Sequence, residues 1–572
     1  MKNTTKQFDI GNLLRKIDTQ DMQLITTVIY IANVVMFELL YCNYEYILKI
    51  IPQYNFSIYR IIVYISLYCF FYRFKDHFIE PAIEAFQSKW KCLAVEITIF
   101  LLCILWINGL VVMLARKFLS VNLVILLIAT LNFILLVIYM SNSMLKNAVV
   151  TALLIGSVFS ISITFNNQLD EKRHFLSAYS ISMGNLNLKH ASIDESVAEM
   201  PRNLTVRGFI GYYKQYPSDS FSKDMSNRDI KDIPNDYITI SYLVSGLGVF
   251  LAKILGGSIA DIYLTGRIFN LLGYIFIMVC AIKTMPYKKH ILYAIFFMPM
   301  ILALSSVYSV DGIGTATTAL FVAYCLKLHE KKEINIKQLI ALISLLILAA
   351  TIKSVGYIGI SLLVLILPLK KIYKQNKRYI KYIAIFFAVI LVIVAVIYIM
   401  RINEPGDPRT KGTDTLMQFK FIINNPMAYA KILTTHIVQI FTNLKGLSFL
   451  NAPMFFRRTY YYGFLALLEY LLFISITDGS KQLKARTRII FIITFLIVIA
   501  MTSTAMYLSY TKVGAEYIEG FQMRYMFPIL ILLLSSISIK RLELDNKFKY
   551  FELILSYIPT IFLVISTIDL II

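Results

Sequence analysis

Two adjacent carboxylates, Asp170 and Glu171, are followed by His174 in the stretch LDEKRHF at residues 169–175. An acidic pair can take a proton from a hydroxyl or hold a divalent cation, and a histidine one helical turn away can orient the base or meet the acceptor of a group transfer. The plainer alternative is a loop start carrying ordinary solvated charges. Other charged groups stand within or at the ends of long apolar runs: Arg267 in YLTGRIFNLLGY, Asp311 in SVYSVDGIGTA, Lys353 in TIKSVGY, Arg458 in FFRRTY and Arg524 in FQMRYMFP. Charges in such surroundings are costly, so each is a functional candidate, with pairing or snorkelling as the structural alternative.

Several of these groups suit an anionic ligand. Arg267 has Asn270 three residues on, hence on one helix face. An always-charged, fork-shaped guanidinium there fits a phosphate or carboxylate, and a salt bridge to Asp261 or Asp311 fits it equally. Lys353 interrupts two apolar runs at a turn relaxed by Gly356. Arg524 closes a turn rich in aromatic and polar residues, and Gln522 beside it can hydrogen-bond a hydroxylated ligand. Asp311 meets an acceptor in one reading and caps its helix in the other.

The elements that carry these residues are membrane helices. In a chain of 572 residues, 58% are hydrophobic and only 16% are charged, and the mean hydropathy is +0.68, which excludes an ordinary soluble enzyme. A span needs about 20 apolar residues. Runs of that kind begin near 24, 57, 95, 119, 146, 263, 291, 312, 338, 354, 380, 459, 487, 523 and 549, predicting an all-α integral membrane protein with about 15 spans. Two polar stretches interrupt the series, at 167–262 and 401–458.

Orientation follows from the basic residues. The net charge of +22 gathers in the short connections, including KKIYKQNKRYIK at 370–381. All of these connections fall on one side if the apolar segment 237–255 does not cross the membrane. The positive-inside rule therefore predicts a juxtamembrane helix at 237–255, a cytoplasmic N-terminus and both long loops outside the cell membrane. The expected organisation is a cytoplasmic tail (1–23), a four-span accessory module (24–141) and a loop-bearing catalytic unit (146–572). All of the charged candidates then share one depth on the extracytoplasmic side.

Several function classes are excluded. No GxxxxGK[ST], GxSxG or HExxH is present, and no basic–aromatic interleaving suggests nucleic acid as a partner. The six cysteines lie in or beside apolar runs without paired spacing and read as packing residues. The first 21 residues are polar and mixed in charge, unlike a cleavable signal. Abundant Ile, Lys, Asn and Tyr resemble low-GC bacterial usage.

The motifs occur in a recognisable order. Asp170, Glu171, His174 and Phe175 are followed by AYSISMGNL, YLTGRIFN, SVDGIGTA, TIKSVGYIG and a late stretch with Gly520, Gln522, Arg524, Tyr525 and Pro528. Over roughly 146–540 this resembles a bacterial polytopic membrane-protein family of the GT-C glycosyltransferase superfamily. The resemblance implies transfer of a sugar from a polyprenyl-phosphate donor to a cell-envelope glycan or lipid-linked acceptor, with inversion. It also implies a large first external loop with juxtamembrane helices, Asp170 as general base and Glu171 as second acid. Met523 stands where that family usually has glycine, and Gln168 and Leu169 replace the proline expected before the acidic pair.

On this reading Arg267, Lys353, Arg458, Gln522 and Arg524 bind the donor phosphate, and His174 and Asp311 face the acceptor. No cofactor is required, although the acidic pair offers oxygens to a divalent metal. A flippase or transporter of lipid-linked saccharides, and an oligosaccharide polymerase or ligase, are the competing readings.

Overall fold

The computed structural model describes residues 58–73, 144–163, 170–185, 190–194, 230–234, 239–257, 259–331, 333–352, 355–367, 411–442, 470–476 and 481–537, with 27, 28, 30, 31 and 34. Most of the expected N-terminal module and the segments holding Lys353 and Arg458 lie outside the described residues. Within them the protein is helical except for one small strand pair. Helix α1 (Ile58–Arg73) belongs to the N-terminal part. The remainder comprises α2 (Met144–Ser162), α3 (Glu171–Ser182), α4 (Leu243–Ile254), α5 (Ile259–Thr284), α6 (Lys289–Phe296), α7 (Pro299–Ser305), α8 (Val310–Glu330), α9 (Ile336–Ile352), α10 (Thr415–Asn424), α11 (Pro426–Thr442), α12 (Ala485–Ser509) and α13 (Leu530–Ser536). Tightly wound 3-10 segments occupy Thr239–Tyr242, Val355–Ile366 and Met523–Ile529.

Two described helices, Asp261–Thr284 within α5 and Ala485–Ser509, are long and apolar enough to cross a bilayer. Helices α7 and α8 form a third candidate, bent by 114° at their junction. The span expected to start near 291 is therefore two short helices. Pro299 at the first turn of α7 offers no amide to the preceding turn, so α6 ends at Phe296 and the chain restarts. The run expected near 354 is a 12-residue 3-10 segment. Within 237–255 stand a 3-10 turn and the 12-residue α4, about 18 Å long, well short of the roughly 30 Å hydrocarbon core.

Helix α5 is the centre of one layer, packing against α2, α4 and α8. Helix α12 is the centre of the second, against Val355–Ile366 and α13. The layers meet where α8 packs on Val355–Ile366 and Met523–Ile529. One continuous apolar core, from Ala148 and Phe159 through Tyr274, Phe296 and Phe321 to Phe495 and Phe527, joins them.

The long polar stretches are not structureless. Strands β1 (His190–Asp194) and β2 (Ile230–Pro234) pair antiparallel, with Ser192 opposite Asp232. In the second stretch Asp414 caps α10, accepting the Met417 amide at 2.9 Å, and α10–α11 pack on α12. Tyr429 donates to Thr504 at 2.6 Å, and the Gly514 amide donates to Gln418 at 2.8 Å. The first bond holds α11 to α12, and the second ties α10 to the segment ahead of Gln522 and Arg524.

Candidate functional site

Asp170 is the residue at which α3 begins. Its carbonyl accepts the His174 amide at 3.0 Å, yet its carboxylate makes no capping bond to the helix. The carboxylate lies instead beside Arg524, with Oδ2 3.6 Å from Nη2. The other arm of the same guanidinium, Nη1, is 3.4 Å from Oδ2 of Asp311. Three segments far apart in the chain thus place two carboxylates on one arginine. Asp311 is almost closed off at 3% exposure, whereas Asp170 and Arg524 remain open at 16% and 12%.

Helix α5 sets this geometry through two residues one turn apart. Arg267 is fully buried and uses every arm: Nε and Nη2 each donate to Glu171 at 2.9 Å, and Nη1 donates to the Ser160 and Ile163 carbonyls at 2.8 and 2.7 Å. It thereby pins the end of α2 and the start of α3, and with the latter the neighbouring Asp170. Asn270 donates to the carbonyls of Ser305, Val307 and Ser309 at 3.2, 2.8 and 3.2 Å. That clamp holds the bend between α7 and α8, from which Asp311 projects.

Arg267 was expected to bind donor phosphate and Glu171 to act as a second acid. In the structure the two side chains are paired with each other at full burial. Burial pushes the Glu171 carboxyl up, and the Arg267 guanidinium with the Tyr308 amide opposes that push. The Tyr308 amide donates to Oε1 of Glu171 at 3.2 Å, joining the α3 start to the α7–α8 bend.

An aromatic cluster supports these turns. Tyr308 packs edge-on against Phe175 and Tyr263, with centroids 5.1 and 5.0 Å away, and donates to the Tyr263 carbonyl at 3.0 Å. Gly266 makes this packing possible, since a Cβ there would stand 1.9 Å from the Tyr308 hydroxyl oxygen. The expected cap role of Asp311 falls to Ser309, whose Oγ accepts the Asp311 amide at 3.1 Å and lies 3.2 Å from Asp311 Oδ2. Asp311 sits in the first turn of α8, where the helix dipole favours a carboxylate.

Arg524 lies near the start of Met523–Ile529. Gly520, at φ 80, makes the turn before it in a conformation natural to glycine. Gln522 heads the segment and its carbonyl accepts the Tyr525 amide at 2.9 Å. The Tyr357 hydroxyl donates to the Tyr525 carbonyl. The Arg524 Nε is buried and has no hydrogen-bond acceptor among the described residues, so it keeps a donor for an incoming oxygen. Beyond Tyr525 an edge-to-face series runs through Phe521 to His436 on α11, with centroid spacings of 5.7 and 5.4 Å. Burial of the His436 ring lowers its pKa.

His174 is buried, and its Nδ1 lies 2.6 Å from the Tyr242 hydroxyl, linking α3 to the turn before α4. Tyr242, Tyr308, Ser309 and the clamp role of Asn270 had no sequence signal beyond the helical spacing of Asn270 from Arg267. Among the described residues no group of three or more His, Cys, Asp or Glu side chains is placed to hold a metal ion.

No curated protein and no solved structure matches this chain. Residues 153–533, which hold Asp170, Arg267, Asp311 and Arg524, match the family described as predicted membrane protein (DUF2142), and the chain belongs to that family of membrane proteins.

Proposed function

We propose that this membrane protein is a GT-C-type glycosyltransferase, moving a sugar from a polyprenyl-phosphate donor to an extracytoplasmic cell-envelope acceptor with inversion. The observation that carries this reading is the convergence of Asp170, Asp311 and Arg524. Asp170, the more exposed carboxylate, takes the proton of an acceptor hydroxyl. The acceptor oxygen bonds to the sugar C1 as the bond from C1 to the phosphate oxygen breaks, and the leaving lipid phosphate keeps the electron pair. Arg524 offsets the charge that develops there, with its unused Nε donor and Gln522 beside it. Asp311, held at the α8 N-terminus, orients Arg524. With Arg267 committed to Glu171, Lys353 and Arg458 supply any further cations at the phosphate. The donor's own phosphodiester bond provides the energy.

The test is mass spectrometry of envelope glycopolymers from cells carrying Asp170→Asn as the sole copy. Loss of one sugar substituent at normal protein yield is expected. Retained transfer would remove Asp170 as the base and with it this mechanism.

A flippase reading has one observation in its favour, the 114° bend between α7 and α8, because broken helices frame many transport sites. The carbonyls at that bend are already held by Asn270. Accumulation of a lipid-linked precursor on the inner leaflet, in place of a missing sugar, would favour the flippase.

A further inference from the structure

Helix α4 has two unlike faces. Ile240, just ahead of it, and Leu243, Leu247, Phe250 and Ile254 recur at steps of three and four and are all exposed. The opposite face, with Tyr242, Ser245, Val249 and Ala252, is buried. Lys253 turns away from the apolar stripe, its Nζ 4.4 Å over the Tyr179 ring of α3. At about 18 Å the helix cannot cross the hydrocarbon core, yet it packs on the spanning α5, which itself exposes Leu272 and Phe276. A short helix with one charge-free apolar face, beside the lipid-exposed side of a span, fits the outer leaflet interface.

The buried face leads to the site in two steps. The Tyr242 hydroxyl meets His174 Nδ1 at 2.6 Å, and the His174 amide donates to the Asp170 carbonyl at 3.0 Å. We infer that Tyr242 and His174 are positioning residues that lock α4, seated by its apolar stripe in the outer leaflet, to the turn carrying Asp170. Lipid seating then fixes where that carboxylate stands relative to Arg524. This deepens the catalytic reading by saying what places the base, and it rests on that reading only in its kinetic consequence.

The experiment uses the full-length chain in phospholipid vesicles. With Trp90 and Trp106 replaced by phenylalanine, Phe250→Trp should be quenched by lipids brominated near the headgroup more than by lipids brominated at the chain ends. Absence of quenching would overturn the seating. In a chain without native cysteines, Asp170→Cys and Arg524→Cys should cross-link through a short bifunctional maleimide, and adding Tyr242→Phe should slow cross-linking several-fold at unchanged yield. An unchanged rate would overturn the positioning role.

In the chain with both site residues intact, Tyr242→Phe should lower kcat and leave KM in place, and His174→Gln should retain more activity than His174→Ala. Cross-linking needs no turnover, so cross-linking as expected in the cysteine chains, with no sugar transferred by the chain that keeps Asp170 and Arg524, would count against the glycosyltransferase reading alone.

Discussion

Arg267 and Glu171 hold each other through two parallel bonds of 2.9 Å, with no solvent at either side chain. Removing one member strands a buried charge, which costs about 3–5 kcal/mol, whereas removing both with apolar residues of similar size costs much less. Arg267→Met or Glu171→Gln alone should therefore strongly lower the thermal midpoint of the detergent-solubilised protein. The double substitution Arg267→Met with Glu171→Met should recover much of the loss. Single variants as stable as the parent would show that the pair does not anchor α2 and α3.

Asn270 should matter through the bend it clamps. Asn270→Leu keeps the bulk and removes the donor shared by three buried carbonyls, a loss of about 1–3 kcal/mol for polar groups left unpaired. Transfer should fall as well, because Asp311 loses its anchor. Denaturation midpoints and envelope glycan composition, measured on the same variant, report the two effects separately.

Arg524→Lys keeps the charge and loses the fork that reaches Asp170 and Asp311 together. Turnover should drop on the order of a hundredfold, as for removal of a positioned electrostatic donor. Near-normal turnover would mean that a point charge is sufficient and that the shared geometry of the two carboxylates is immaterial.

His436 supplies a pH dependence. Burial lowers the folded-state pKa of its ring below the ordinary 6.5, so the unfolded chain takes up the proton first as pH falls. The stability that neutral His436 contributes is present above pH 6.5 and is lost below it, toward the lowered folded value. His436→Phe should flatten the fall of the thermal midpoint as pH drops below 6.5, measured with full-length protein in detergent. An equally steep decline in that variant would assign the acid sensitivity to other groups.

Much of the site's membership was legible because charge is so conspicuous in an apolar chain. Asp170, Asp311 and Arg524 stood out singly, and the structure places them on one guanidinium. Arg267 stood out for the same reason, and its partner could not be foreseen. Helical spacing reports which residues share a face of one helix, but Glu171 lies 96 positions away on another element. Tyr242 and Tyr308 gave no signal, since two tyrosines among 38 are indistinguishable until a fold brings them to His174 and Glu171.

Sequence alone determined that this is a helical membrane protein, because continuous apolar runs of about 20 residues match the length of a spanning helix, which satisfies its own backbone in lipid. It also marked 237–255 as a segment apart, because the basic connections share one side of the membrane only if that stretch does not cross. Only the tertiary structure decided which charges are structural and which remain accessible. Pairing and burial are properties of elements brought together: Arg267 is closed by Glu171 and two carbonyls, while Arg524, equally conspicuous in the chain, keeps an open side and an unused donor.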